Sequence, residues 1–364
     1  MRQAQVVAGV AGAPLRRADP ERLLRRLEWT VIRRLDGLLQ GDYRTLLRGF
    51  GLDLADLREY QAHDDVRYID WNVTARLQTP HVREFQEDRE VIAWFLLDLS
   101  GSVNFGSRNV CKRELSAEFV AVLARLLTRN GNRIGAVLYD GTSVGAGGGA
   151  SGTIGGRSGG RSGGDPSTRV IPARVGRRQV LHLLDRMLNM GESIEGHAPT
   201  TAHAIANATK AVAKETDLSV LLAHAQTVMK RRSVVFVVSD FISVPGWGKA
   251  LALLARRHEI VAVRLYDPME LDLPDLGFVV MHDAETGEQL FVDTHDRGFR
   301  KRFAKAAERR EVALRETLSR AGIDCLELAT DDHLDEALLR FTQLRKRRSQ
   351  LAAGAGSARK PLAR

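Results

Sequence analysis

The chain has 364 residues, 44% hydrophobic and 27% charged, the balance of a globular protein with ample material for one large core or two ordinary ones. Its formal net charge of +9 is mostly arginine near the termini (Arg16, Arg17, Arg22, Arg25 and Arg26 at one end, Arg345–Arg348 at the other) with few aromatics interleaved. That pattern reads as solvated helix faces and a tail, so nucleic acid is not an expected partner. The two cysteines, Cys111 and Cys325, have no Cys or His at ligand spacing, which excludes a disulfide framework and a thiolate zinc site. The N-terminus lacks a signal-peptide pattern and the apolar runs are too short to span a bilayer, so the expectation is a cytoplasmic protein without stable membrane insertion.

Residues 1–18 are expected to form a flexible arm. Between Pro20 and Leu39, Leu23, Leu27, Val31, Leu35 and Leu38 recur at helical spacing, predicting an amphipathic helix capped by Asp19 with Pro20 in its first turn. Leu57–Phe85 is dense in arginine, acid and aromatics and shows no sustained period. It predicts an irregular clamp held by side-chain pairing. Arg58, Arg67, Arg76 and Arg83 can meet Glu59, Asp64, Asp65, Asp70 and Glu84, with Tyr60 and Trp71 beside them. Paired charges of this kind serve architecture more readily than chemistry.

Val91–Leu97 is a continuous apolar run, rich in bulky residues, that passes directly into Asp98-Leu99-Ser100-Gly101-Ser102. It predicts a strand buried on both faces, with Gly101 turning the chain sharply at its end. Ligands bind outside the carboxyl ends of strands in open α/β sheets, and the acid with two hydroxyls suits a hard cation such as Mg²⁺. The same residues also suit a helix N-cap.

Val110–Asn130 predicts a helix closed by Gly131, and Arg133–Tyr139 a second strand. The Gly-rich stretch from Gly141 to Gly164 is expected to be a disordered loop, and without a Gly-Lys-Ser/Thr ending it is no nucleotide cradle. A short strand at Val170–Ile171 and a helix over Arg177–Leu188 follow. An Ala-rich insertion over 191–213 comes next, with His197 and His203 read as surface residues. Helix Asp217–Met229, strand Ser233–Val238 ending at Ser239-Asp240, helix Trp247–Arg256 and strand Glu259–Leu265 complete the alternation. Phe278–Met281 and Gln289–Val292 flank DAETGE as a hairpin. Helix Arg297–Arg320, strand Ile323–Leu328, helix Leu334–Lys346 and a flexible basic tail end the chain. The fold class is therefore α/β, a mostly parallel sheet with helices on both faces. Right-handed crossovers bring Asp98 and Asp240 to one crevice.

Two resemblances attach to these residues. Asp98-x-Ser100-x-Ser102 after a buried strand, a later loop threonine and Asp240 ending a following strand resemble the metal-ion-dependent adhesion site of von Willebrand factor A domains. REYQAHDDVRYIDWNVTAR within Leu57–Phe85, KRRSVVFVVSDFIS from Lys230 to Ser243 and DAETGEQLFVD from Asp283 to Asp293 resemble the bacterial domain-of-unknown-function 58 family. The resemblance implies a von Willebrand factor A-like (Rossmann-like) domain over 90–346, behind a family-specific segment at 19–89 and ahead of a tail at 347–364. It also implies a metal set of Asp98, Ser100, Ser102, a threonine and Asp240, loaded with Mg²⁺ (or Mn²⁺ or Ca²⁺). Thr200 or Thr201 competes for the threonine with Thr216, whose Thr216-Asp217-Leu218 resembles the family's loop although Glu215 replaces its usual glycine. The partner it implies is a MoxR-type AAA+ ATPase acting with the protein, chaperone-like, on other proteins.

No nucleophile–base pair accompanies the hydroxyls, and no lysine is evidently placed to hold a phosphate. The expectation is thus a non-enzymatic, metal-dependent interaction module. A metal-assisted, phosphatase-like hydrolase using Asp98 and a structural domain with an empty site are the alternatives.

Overall fold

The computed structural model describes residues 5–7, 19–33, 35, 57–60, 69, 71–83, 91–108, 110–141, 167–190, 216–282 and 289–357. The first short strand, β1, is Gln5–Val7. Helix α1 (Pro20–Leu27) has Asp19 as its N-cap and Pro20 in the first turn, and runs on into a π turn over Glu28–Ile32. Strands β2 (Leu57–Glu59) and β3 (His81–Arg83) pair antiparallel around helix α2 (Trp71–Leu77). Then come β4 (Ile92–Asp98), α3 (Lys112–Arg129), β5 (Arg133–Tyr139), β6 (Thr168–Arg174) and α4 (Arg177–Asn189). They are followed by α5 (Leu218–Val228), β7 (Val234–Ser239), α6 (Trp247–Ala255) and β8 (Glu259–Tyr266). The hairpin strands β9 (Phe278–His282) and β10 (Gln289–Asp293), helix α7 (Arg297–Ala321), β11 (Asp324–Ala329) and α8 (Leu334–Ser357) complete the order.

The main sheet has six strands in the order β11-β8-β7-β4-β5-β6, all parallel except β6, which returns antiparallel along the β5 edge. Strands β4 and β7 are apolar on both sides because both sheet faces are covered. One face packs residues of α1, α3, α4 and α8, including Leu24, Phe119, Leu183 and Leu338. The other packs residues of α5, α6 and α7, including Leu221, Leu251 and Leu318. The chain passes from β4 outward to β5 and β6, then returns to place β7 on the other side of β4. This reversal opens a crevice at the carboxyl ends of β4 and β7, where such folds bind ligands. Asp98 and Asp240 both stand there.

Several expectations change. Gln5–Val7, expected within a flexible arm, pairs antiparallel with the open side of β9, so β-branched Val6 and Val7 extend the hairpin into three strands. The described residues of the Leu57–Phe85 segment, 57–60 and 71–83, are more regular than their composition suggests, because Tyr60 N–H donates to Pro80 O at 2.8 Å and closes the β2–β3 pairing. The C-terminal helix continues to Ser357, well into the expected tail, carried past Lys346 by Arg347, Arg348, Gln350, Leu351, Ala352 and Ala353 and meeting no proline before Pro361. Gly101 is not among the residues with positive φ; the chain turns there as a 3-10 segment over Gly101–Asn104. Cys111 precedes α3 as its N-cap instead of lying within it. The Gly-rich loop beyond Gly141 and the Ala-rich insertion fall outside the described residues. No helix among those described is long and apolar enough to cross a membrane.

Candidate functional site

Strand β4 delivers Asp98 to the crevice fully buried. Its Oδ1 accepts from Ser100 N–H at 3.1 Å, and its Oδ2 accepts from the Ser239 hydroxyl at 2.7 Å. The hydroxyls of Ser100 and Ser102 lie 3.2 Å apart on the 3-10 turn. Burial, and next the charge of Asp240, push the Asp98 carboxyl up to about 6, against hydrogen bonds from Ser239 and Ser100 that pull the other way. Among the described residues Asp98 has no cationic partner.

Thr216 belongs to the loop entering α5 and is buried. Its carbonyl accepts from Val244 N–H at 2.9 Å and from the Ser243 hydroxyl at 3.0 Å, while Asp217 N–H donates to the Tyr139 hydroxyl at 3.1 Å. Asp217 then caps α5 through Ser219 N–H. Gly141, at φ +82°, leaves a space between the loops: a Cβ there would lie 3.0 Å from Ser100 Cβ and 3.8 Å from Thr216 Oγ1. The first and second loops therefore share one small cradle that any side chain at position 141 would crowd.

The third loop carries backbone strain that its contacts hold in place. Phe241 adopts φ 56°, a left-handed conformation that costs a bulky residue roughly 1–2 kcal/mol. Phe241 N–H donates to Ser239 Oγ at 2.8 Å, Ile242 N–H donates to Asp240 Oδ1 at 3.0 Å, and the Phe241 ring packs on Trp247 with centroids 5.4 Å apart. These contacts fix the direction of Asp240.

Sequence reasoning missed a lysine. Lys112 opens α3 and is fully enclosed, its Nζ 2.8 Å from Asp240 Oδ2 and 2.7 Å from Glu270 Oε1. Burial alone would lower its pKa, but the two carboxylates outweigh burial and raise it, so the ammonium stays charged. Glu270 is pushed up by burial, an effect that Lys112 partly offsets. A signal was present: a lysine in the first helical turn opposes the helix dipole and calls for a compensating anion. Asp267, just beyond β8, was missed as well. It is fully buried and accepts from Ser107 N–H at 2.8 Å, the Thr330 hydroxyl at 2.6 Å and Met269 N–H at 2.9 Å. With Glu270 it forms a capping box, legible in the sequence as Asp-Pro-x-Glu after an apolar strand.

The sequence pattern of the family described as "Protein of unknown function DUF58" matches residues 56–152 and 149–313. The chain belongs to the DUF58 family. Uncharacterized proteins of Mycobacterium bovis and Mycobacterium tuberculosis are each 33% identical to this DUF58 protein over 326 residues, 89% of each chain. Among solved structures, the conserved hypothetical protein BatB from Bacteroides thetaiotaomicron is 11% identical and covers 71% of this chain and 99% of its own, at a TM-score of 0.36. An aerotolerance-related membrane protein from Bacteroides fragilis has the same identity and coverage, at a TM-score of 0.37. Both are too distant to bear on function.

Within this DUF58 chain Asp98, Ser100, Ser102, Thr216 and Asp240 are all buried at one sheet edge. No group of three His, Cys, Asp or Glu side chains among the described residues is arranged to hold a metal; the expected set relies chiefly on hydroxyls. Arg58 and Glu59 lie on β2 with Tyr60 following, whereas Trp71 and Arg76 are exposed on α2. Asp64, Asp65, Arg67 and Asp70 of the expected clamp, and Thr200 and Thr201, lie outside the described residues.

Proposed function

We propose that the three-loop cluster is a divalent-cation site through which the protein binds an acidic group of a partner, without catalysing a reaction. The observation that carries this reading is Asp98, a buried carboxylate pushed up to about 6, with an anionic neighbour and no cation among the described residues. Asp98, Ser100, Ser102 and Thr216 would hold the ion with oxygen donors, as a small hard cation prefers. Asp240, whose two oxygens are engaged by Lys112 and Ile242 N–H, would contribute through its charge. The Gly141 cradle leaves room between the loops. When bound, Mg²⁺ (or Mn²⁺ or Ca²⁺) would supply a water-filled position that a partner's carboxylate can take.

The sheet order and the Asp-x-Ser-x-Ser edge support a von Willebrand factor A-like fold, and the resemblance in sequence supports a MoxR-type AAA+ ATPase as partner in the maturation of other proteins. The hydrolase reading is weaker, because the Lys112 ammonium is already engaged by two carboxylates and is not available to hold a phosphate. Two measurements test the proposal. Mg²⁺ or Mn²⁺ is expected to raise the melting temperature of the wild type but not of Asp98→Ala. A pull-down is expected to recover the ATPase with wild type in Mg²⁺ and lose it with Asp98→Ala or chelator. No ion-linked shift in the wild type would sink the cation reading, and equal recovery in all conditions would remove the ion from the interface.

A further inference from the structure

The cluster at the crevice contains three carboxylates, buried Asp98 and Asp240 and half-buried Glu270, and one buried ammonium, Lys112. Asp267 stands close by in sequence, but its carboxylate is committed to Ser107 N–H, Met269 N–H and the Thr330 hydroxyl, and it makes no ion pair with Lys112. A fully enclosed lysine is an expensive group to place in a core, because the desolvation of an ammonium is repaid only by close, hydrogen-bonded anions. Lys112 has two, both at hydrogen-bonding distance. Its ring neighbour is Phe105, 6.0 Å away, which adds shielding from water without adding charge.

We propose that Lys112 sets the charge of the crevice and thereby selects a divalent ion. With Lys112 in place the cluster of Asp98, Asp240, Glu270 and Lys112 carries two uncompensated negative charges, the number a dication neutralises. Lys112 touches Asp240 and Glu270 and leaves Asp98 alone, so one uncompensated charge lies on the first loop and the other is shared by the Asp240–Glu270 pair that the lysine bridges. It is a positioning residue: it engages Asp240 Oδ2 and lowers the total charge that an ion in the crevice would meet. This inference rests on the cation reading of the same crevice and adds the residue that determines which ion that crevice accepts.

The test is a charge series. Glu270→Gln leaves the cluster at one negative charge, wild type at two, and Lys112→Met at three. The double variant Lys112→Met/Glu270→Gln returns it to two with no ion pair at all. Mn²⁺ affinity, followed by electron paramagnetic resonance, is expected to change about tenfold per charge step, the scale of one added buried charge at close range. The order expected is Lys112→Met tightest, wild type and the double variant alike, Glu270→Gln weakest. Tb³⁺, followed by its luminescence, is expected to gain more than Mn²⁺ on Lys112→Met, because its larger charge multiplies the same step.

The double variant keeps the test decisive should Lys112→Met alone fail to fold, since it leaves only one carboxylate without its lysine. Wild type and double variant with equal Mn²⁺ affinity, and Glu270→Gln weaker, support the assignment. Wild type that binds Mn²⁺ with all variants unchanged, or with Glu270→Gln tighter, overturns the role of Lys112 while leaving the cation reading intact. Wild type and every variant without Mn²⁺ binding overturns both.

Discussion

Strands β4 and β8, separated by β7, each deliver a fully buried aspartate to the same sheet edge, yet the two carboxyls move in opposite directions. Burial is the largest single influence at both and pushes each pKa upward. At Asp267 the hydrogen bonds from Thr330, Ser107 and Met269 overcome it, and the carboxyl falls below its usual range. At Asp98 the donors are only Ser239 and Ser100, the charge of Asp240 adds to burial, and the carboxyl rises to about 6. Similar strand ends therefore serve different purposes. Asp267 is a finished staple joining the segment before α3, the turn after β8 and the end of β11. Asp98 is a buried carboxyl that keeps an anionic neighbour and has no cationic partner among the described residues.

The largest effect that can break this contrast is expected at the staple. Asp267→Ala leaves three donors without their acceptor, two of them backbone N–H groups, and is expected to destabilise the protein by about 4 kcal/mol, measured by urea unfolding at pH 7. Because the folded pKa of Asp267 is lowered, its contribution is fully present above the unfolded value of about 4 and is lost as the pH falls below it. Asp267→Ala should accordingly flatten the acid limb of the stability curve. An unchanged acid limb would mean that the staple is not ionised in the folded protein.

Asp98 should respond with the opposite sign. Its raised folded pKa makes its contribution to ion-free stability greatest below about 4 and lost as the pH rises through about 6. Asp98→Asn is therefore expected to stabilise the ion-free protein by about 2 kcal/mol at pH 7, with little change near pH 4. Unfolding in chelator at the two pH values checks this; a destabilised Asp98→Asn at pH 7 would show that Asp98 is already satisfied as an anion. The smallest effect sharpens the comparison: Thr330→Val removes one hydroxyl donor from Asp267 and is expected to cost about 1.5 kcal/mol, with the acid limb shifted toward higher pH.

Much of the sheet was legible because the relevant signals are local. Val91–Leu97 and Ser233–Val238 are short, apolar and bulky, and such runs must be covered on both faces, which alone implies parallel strands with helices above and below. Their acidic ends could be read with them, since an acid following a buried strand emerges at the strand's carboxyl edge. Asp19-Pro20 and Asn130-Gly131 are likewise local and mark helix ends as expected. The Asp267-Pro268-x-Glu270 signal was equally local; it was legible and passed over.

Other features have no local signature. Gln5–Val7 becomes a strand because β9 has an open side, a property of the hairpin and not of the terminal segment. Gly141 matters only because Ser100 and Thr216 approach it from other parts of the chain. The opening stretch of β4 and its Asp-x-Ser-x-Ser end were determined by sequence alone, through periodicity and the chemistry of oxygen donors. Tertiary structure decided what surrounds them. Lys112 sits in a helical first turn where a lysine calls for an anion, but only the packing of α3 against the ends of β7 and β8 supplies Asp240 and Glu270 and encloses it between them. The reason is physical: hydrophobic period is a short-range property of the chain, whereas the charge compensation of a buried ion depends on groups 128 and 158 residues away that meet only in the folded protein.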